Sequence, residues 1–148
     1  VIDYYLKHSQ IETLMSQFNL IDNRPESLLD DVHEKQVKVL ARGPVFKGLL
    51  TSNSVNALDQ KFQDGIFDYT HDELGEVIAS VKEIESNLSA LSFKYLTSHD
   101  ALGSIIVGAS SVEQLEENVR NFNKDVSLDQ IKSARDRVKN IEYTQHLK

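Results

Sequence analysis

A chain of 148 residues with a net charge of −7 and no cysteine is one domain's worth, at ~100–200 residues per domain. The acidic balance argues against a nucleic-acid partner, which asks for a basic patch. The lack of cysteine removes disulfides, Cys-type zinc sites and thiol nucleophiles. Apolar runs are too short to span a membrane and no signal peptide is visible, so we expect a soluble, cytoplasmic, globular protein of α/β or α class.

Val1, Ile2, Tyr5 and Leu6 fall on one helical face, with no capping residue before them and no initiator methionine. The chain therefore reads as one that begins inside a helix, a piece of something larger. Ile11 to Gln17 lacks a helical period and reads as a short strand, and Asn19 to Pro25 as a loop. Pro25 suits the first turn of a helix carrying Leu28, Leu29 and Val32 that fades at Lys35-Gln36. Val37, Val39, Leu40 and Ala41 predict a second buried strand, stopped by Arg42-Gly43-Pro44. Thr51 to Tyr69 is polar and aperiodic, a loop of about 20 residues, and such loops are usually lids or disordered.

Thr70-His71-Asp72-Glu73 supplies a capping box for a helix with Leu74, Val77, Ile78, Val81 and Ile84 inward. A further helix carries Leu88, Leu91, Tyr95 and Leu96 and ends near His99-Asp100. Ser104 to Val107 predicts a third strand, closed by Gly108. Ser110 and Ser111 cap the next helix, whose inward stripe is Val112, Leu115, Val119 and Phe122. Ser127-Leu128-Asp129-Gln130 opens a last helix with Leu128, Ile131, Ala134 and Val138 inward.

This alternation calls for parallel strands joined by right-handed crossovers, with sites at the strands' carboxyl ends. Those ends are Gln17, Arg42-Gly43 and Gly108. Three strands make an incomplete sheet, with two unpaired edges and one uncovered face. We expect the isolated chain to associate through a strand edge or to be marginally stable.

The strongest local signal is the segment from Val107 to Asn118: a strand, a glycine, two serines and a helix N-terminus. Free backbone N–H groups and the helix dipole favour a phosphate there, and Gly108 admits a close backbone approach. Gln114 and Asn118, at i and i+4, share one face with Ser110, opposite the apolar stripe. The same residues would also suit a well-capped surface helix. Arg42-Gly43-Pro44-Val45-Phe46-Lys47-Gly48 is a tight turn with two cations, suited to a pyrophosphate or simply to a strand–helix loop. Gln17 brings a carboxamide, able to donate and accept, to a strand end. The five histidines show no metal-ligand spacing, and no nucleophile elbow, Walker A loop or G-x-G-x-x-G is present, so neither a metal site nor a catalytic set is visible.

Taken in this order, the three strand ends resemble the C-terminal half of an aldo-keto reductase, a (β/α)8 barrel that uses NADP(H). The resemblance runs across essentially the whole chain. QFNLIDNRPE (Gln17 to Glu26) resembles the segment in which a glutamine reaches the nicotinamide carboxamide. ARGPVFKGLLT (Ala41 to Thr51) resembles the segment that wraps the pyrophosphate, and GASSVEQLEEN (Gly108 to Asn118) the segment that holds the adenosine phosphate. The resemblance implies a partial barrel, about strands six to eight and their helices, forming a single C-terminal fragment over 1–148. It assigns Gln17, Arg42, Gly43, Pro44, Val45, Lys47, Gly108, Ser110, Gln114, Glu117 and Asn118 to the cofactor, NADP(H) or NAD(H), with a small carbonyl substrate as the other ligand.

Two positions depart from the pattern. Arg42 stands where an aromatic usually stacks on the nicotinamide, a role a guanidinium plane can fill. Ser110 stands where many members carry a basic residue for the 2′-phosphate. The family's catalytic Asp, Tyr, Lys and His belong upstream of Val1, so the fragment alone is expected to be inactive. Potassium-channel β subunits resemble the same family, which keeps open a non-catalytic nucleotide-binding or protein-interaction module on this fold. Thr51 to Tyr69 and the tail through Tyr143 and His146 are expected to border the barrel mouth.

Overall fold

Alternating strand and helix patterns close into a three-stranded parallel sheet in the order β1 (Thr13–Gln17), β2 (Lys38–Arg42), β3 (Leu102–Ile106). The computed structural model describes residues 2–143. Among them the helices are α1 (Ile2–His8), α2 (Leu29–Glu34), α3 (Ser54–Lys61), α4 (His71–Ile84), α5 (Leu88–Thr97), α6 (Val112–Asn123) and α7 (Leu128–Asp136), with 3₁₀ turns at Arg24–Leu28 and Phe46–Gly48. No helix among the described residues is long and apolar enough to cross a membrane.

One face of the sheet is covered and the other is open. On β2, Val39 and Ala41 are buried while Lys38 and Arg42 are exposed, the period of two expected of a strand packed on one side. Phe18, Leu20, Ile21, Leu49, Leu50, Phe62, Leu74, Val81, Leu91, Tyr95 and Leu96 fill the core between the sheet and its helices. The register sets Gln17 beside Arg42 and Arg42 beside Ile106, so the carboxyl ends of all three strands lie level. The pairing of β2 with β3 skips a residue between Val39 and Leu40, opposite Gly103. A Cβ on Gly103 would lie 2.8 Å from the Lys38 Cβ, so the irregular register needs the glycine.

The capping box at Thr70 forms as the sequence predicts, and Ser127, read as opening the last helix, forms a second, each with its reciprocal pair of hydrogen bonds. Four expectations need correction. The predicted loop from Thr51 to Tyr69 contains α3, whose Ser54 and Ala57 are buried and whose Leu58 packs on the core. That apolar face is only two turns long, too short to register as a period. The rest of the segment is a packed turn, with Phe62 and Tyr69 buried and Ile66 bridged to Tyr69.

Second, the stripe on α6 is not inward. Val112, Leu115, Val119 and Phe122 are 68%, 55%, 54% and 45% exposed: the sheet ends at β3, and among the described residues this face meets little beyond Phe93 of α5, whose ring lies 6.5 Å from Phe122. Third, Leu128 is exposed at the first position of α7, while Ile131, Ala134 and Val138 are buried as expected. Fourth, Leu6 on α1 is buried but Tyr5 is exposed. Val1 and His146 lie outside the described residues.

Candidate functional site

The carboxyl ends of β1 and β2 carry a continuous polar network. Gln17 Nε2 donates to Asp22 Oδ2 at 2.8 Å, and Gln17 Oε1 accepts from an Arg42 terminal nitrogen at 3.3 Å. Asp22, fully buried, takes a two-point contact from Arg24: Nε to Oδ1 at 2.6 Å and Nη2 to Oδ2 at 2.8 Å. That contact holds the Arg24 guanidinium above its ordinary pKa against the opposing effect of desolvation. Asn19, also buried, accepts from the backbone N–H groups of Ile21 and Asp22 and donates to the Gly43 carbonyl. The loop after β1 is thereby sewn to the turn after β2.

That turn is built on left-handed backbone. Gly43 has φ +65°, and Phe46 and Lys47 have φ of 43° and 55°. The Phe46 ring is buried, lies 5.2 Å from Phe62 and stacks on Phe67. Packing of this ring offsets a left-handed backbone cost of about 1–3 kcal/mol at Phe46, a cost that Gly43 does not carry. Pro44 is buried and its carbonyl accepts from Ser92 of α5. Val45 is half-buried, and Lys47 is exposed at the crest of the turn. Lys61 of α3 donates to the Lys47 carbonyl at 2.7 Å, which adds a second ammonium to the crest. Lys61 was not legible without the helix that carries it. Asp22 and Arg24 were legible only as part of a loop.

The segment after β3 is organised differently. Ser111 is the N-cap of α6, its side chain accepting from Gln114 N–H. Ser110 donates through both its backbone N–H and its hydroxyl to Gln114 Oε1, at 2.8 and 2.9 Å. Ser110, Gln114 and Glu117 are exposed and Asn118 is half-buried. A Cβ on Gly108 would meet nothing within 4 Å, so the backbone there is open to approach.

Asn118 donates to the Gly108 carbonyl at 3.4 Å and lines a groove of about 390 Å³ with Ile105, Val107, Leu115, Val119 and Phe122. The carboxamide thus sits on the apolar stripe's own side. Positions 115, 118, 119 and 122 follow the i, i+3, i+4, i+7 rule of a single helix face, which corrects the expectation that Asn118 lies opposite the stripe.

On the helix side of the sheet, Glu26 joins three elements. Arg135 of α7 donates to both its oxygens, Tyr95 of α5 donates to Oε1, and His99 Nε2 stands 4.0 Å away. Burial pushes the Tyr95 hydroxyl's pKa up and the His99 imidazole's down, the latter opposed by Glu26. His99 Nε2 is buried with no hydrogen-bond partner among the described residues. The described residues hold no cluster of three or more His, Cys, Asp or Glu that could bind a metal ion.

The chain is similar to known proteins along nearly its whole length. The model of the aldo/keto reductase family matches residues 2–138. The uncharacterized oxidoreductase YqkF of Bacillus subtilis is 37% identical over 150 residues, covering 99% of this chain and 49% of the relative. Aldo-keto reductase AKR11C1 from Bacillus halodurans superimposes in its holo form with a TM-score of 0.86 at 30% identity, covering 99% of this chain and 48% of that one. Its apo form gives a TM-score of 0.83 at 29% identity. A thermostable aldo-keto reductase, Tm1743, shares the fold at 19% identity with a TM-score of 0.64. The chain spans about half the length of these relatives, and its three parallel strands are about the sixth to eighth of a (β/α)8 barrel. The family model matches nearly the full length, and on that ground the chain belongs to the aldo/keto reductase family.

Proposed function

We propose that this chain is the C-terminal, cofactor-binding portion of an NADP(H)-dependent aldo-keto reductase whose parent reduces aldehydes or ketones. The observation that carries the reading is the level alignment of Gln17, Arg42 and Ile106. It brings a carboxamide, a guanidinium and the segment leading to an accessible helix N-terminus to one end of the sheet, where α/β barrels bind ligands. The residues fit a dinucleotide in kind. Gln17 keeps one N–H and one lone pair for a ligand carboxamide after its bonds to Asp22 and Arg42. Arg42 offers a planar cation over the open sheet face. Lys47 and Lys61 place two ammoniums on the Gly43–Gly48 turn, suited to a pyrophosphate.

Gly108, Ser110, Gln114, Glu117 and Asn118 would serve the adenosine end. Their hydroxyl, carboxamides and helix N-terminus favour a phosphate in the absence of a basic residue. When bound, a reduced nicotinamide supplies the hydride for carbonyl reduction. This chain's part is to orient the ring and hold the phosphates. The proton donor and its partners belong to the first half of the barrel, so the fragment alone turns nothing over.

The test is a calorimetric titration with NADPH and then NADH. Binding that Asn118→Ala weakens is expected, and the ratio of the two affinities reports the 2′-phosphate contact. Absence of heat with either dinucleotide overturns the proposal for this chain.

A further inference from the structure

Gln17 is the one member of the candidate site whose orientation is fixed from both sides. A carboxamide is nearly symmetric in shape, so its neighbours decide which end is nitrogen. Asp22 only accepts and Arg42 only donates, so Nε2 faces the carboxylate and Oε1 faces the guanidinium. Asp22 is fully buried, and a buried carboxylate persists only when paired and hydrogen-bonded. Arg24 supplies the pairing through two nitrogens, and the backbone N–H of Asp22 is tied to Asn19. Arg24 is itself gripped by two rings far apart in sequence. Its guanidinium carbon lies 4.6 Å from the Phe67 centroid and 5.2 Å from the Tyr143 centroid. Tyr143 is held in turn by a hydroxyl contact to Ser16 of β1 at 3.3 Å.

We propose that Asp22, braced by Arg24 between Phe67 and Tyr143, is the positioning residue for the carboxamide-binding end of the site: it locks the Gln17 amide in one orientation and, through Oε1, aims Arg42 across the open sheet face. The proposal rests on the dinucleotide reading given above. Asp22 touches no ligand. It acts by making Gln17 a fixed donor–acceptor pair for a pyridine carboxamide, and the 65–69 turn and the C-terminal segment set its brace.

The experiment uses the intact chain and two probes, reduced nicotinamide mononucleotide for one end of the site and adenosine 2′,5′-bisphosphate for the other. Asp22→Asn removes the charge and lets the Gln17 amide take either orientation. It should weaken the mononucleotide about tenfold, as loss of a charge-assisted hydrogen bond does, and leave the bisphosphate within twofold. Arg24→Lys, which keeps the charge and loses the fork, should give a smaller loss of the same selectivity. A readout without ligand is the Gln17 side-chain amide in a nitrogen–proton spectrum. Its Asp22-facing proton should be displaced from the free-carboxamide position and protected from solvent exchange in the parent chain, and should return to the free-carboxamide position in Asp22→Asn; Arg24→Lys supplies the same readout if Asp22→Asn does not fold. Equal weakening of both probes, or no change in either probe or in the amide protons, overturns the positioning role alone. Failure of the parent chain to bind either probe overturns the dinucleotide reading and this inference with it.

Discussion

The two ends of the candidate site are built on opposite principles. At β1 and β2 the functional side chains are tied to buried groups: Asp22 and Asn19 are fully buried, and Gln17 and Gly43 bond to them. At α6 the candidate residues are held by a cap and by local bonds, Ser110 to Gln114 and Asn118 to the Gly108 carbonyl. The apolar stripe beside them faces solvent. One end is preorganised by tertiary structure and the other by its own sequence. Mutations at the first end should therefore cost global stability, while those at the second should cost little beyond the helix itself.

The sharpest way to break the comparison is to truncate matched apolar residues. Phe18→Ala removes a fully buried ring packed on Tyr95 and His99 and should cost about 3–5 kcal/mol. Val119→Ala should stay within about 0.5 kcal/mol. Urea midpoints read both, and a large loss in Val119→Ala would mean that this face is covered in solution. Next in size is Arg135→Met. It leaves Glu26 with Tyr95 as its remaining donor and should cost about 2 kcal/mol, below the value for a fully buried pair because both partners keep some solvent contact. Ser111→Ala should cost about 1 kcal/mol, confined to α6 and visible as faster amide exchange there with β1 and β2 unchanged.

The smallest effect is in the pH dependence. Burial lowers the His99 pKa, so the unfolded chain takes up a proton near pH 6.5 that the folded chain declines. The unfolded state then binds more protons, and stability falls as pH drops through that value toward the folded pKa. His99→Phe keeps a ring against Phe18 and Tyr95 and removes the orphaned Nε2. The difference between urea midpoints at pH 8 and pH 5.5 should shrink in this variant. An unchanged difference would assign the acid sensitivity to other groups.

Much of this was written in local residues, because strands, caps and breakers are short-range signals. Val37 to Ala41 read as a buried strand, Thr70 to Glu73 as a capping box, and the three strand ends as the place to look. What failed needed distance. A face of Ser54, Ala57 and Leu58 is two turns long and gains its meaning only from the core it packs on. The α6 stripe has the pattern of an inward face, but pattern reports only that a face is apolar; whether it is covered depends on what lies beyond β3.

The sequence by itself determined the parallel α/β class, the strand ends and the resemblance to aldo-keto reductases. The first two rest on spacing along the chain, and the third on the likeness of three segments, at 17–26, 41–51 and 108–118, to the family's own. Tertiary structure alone decided that Asp22 turns inward to hold Gln17, that Arg24 is clasped between Phe67 and Tyr143, and that Lys61 reaches the Lys47 turn. Those contacts join residues up to 119 positions apart (24 to 143), and no local propensity encodes them. They follow from packing the sheet and its helices around one core, which fixes which loops meet.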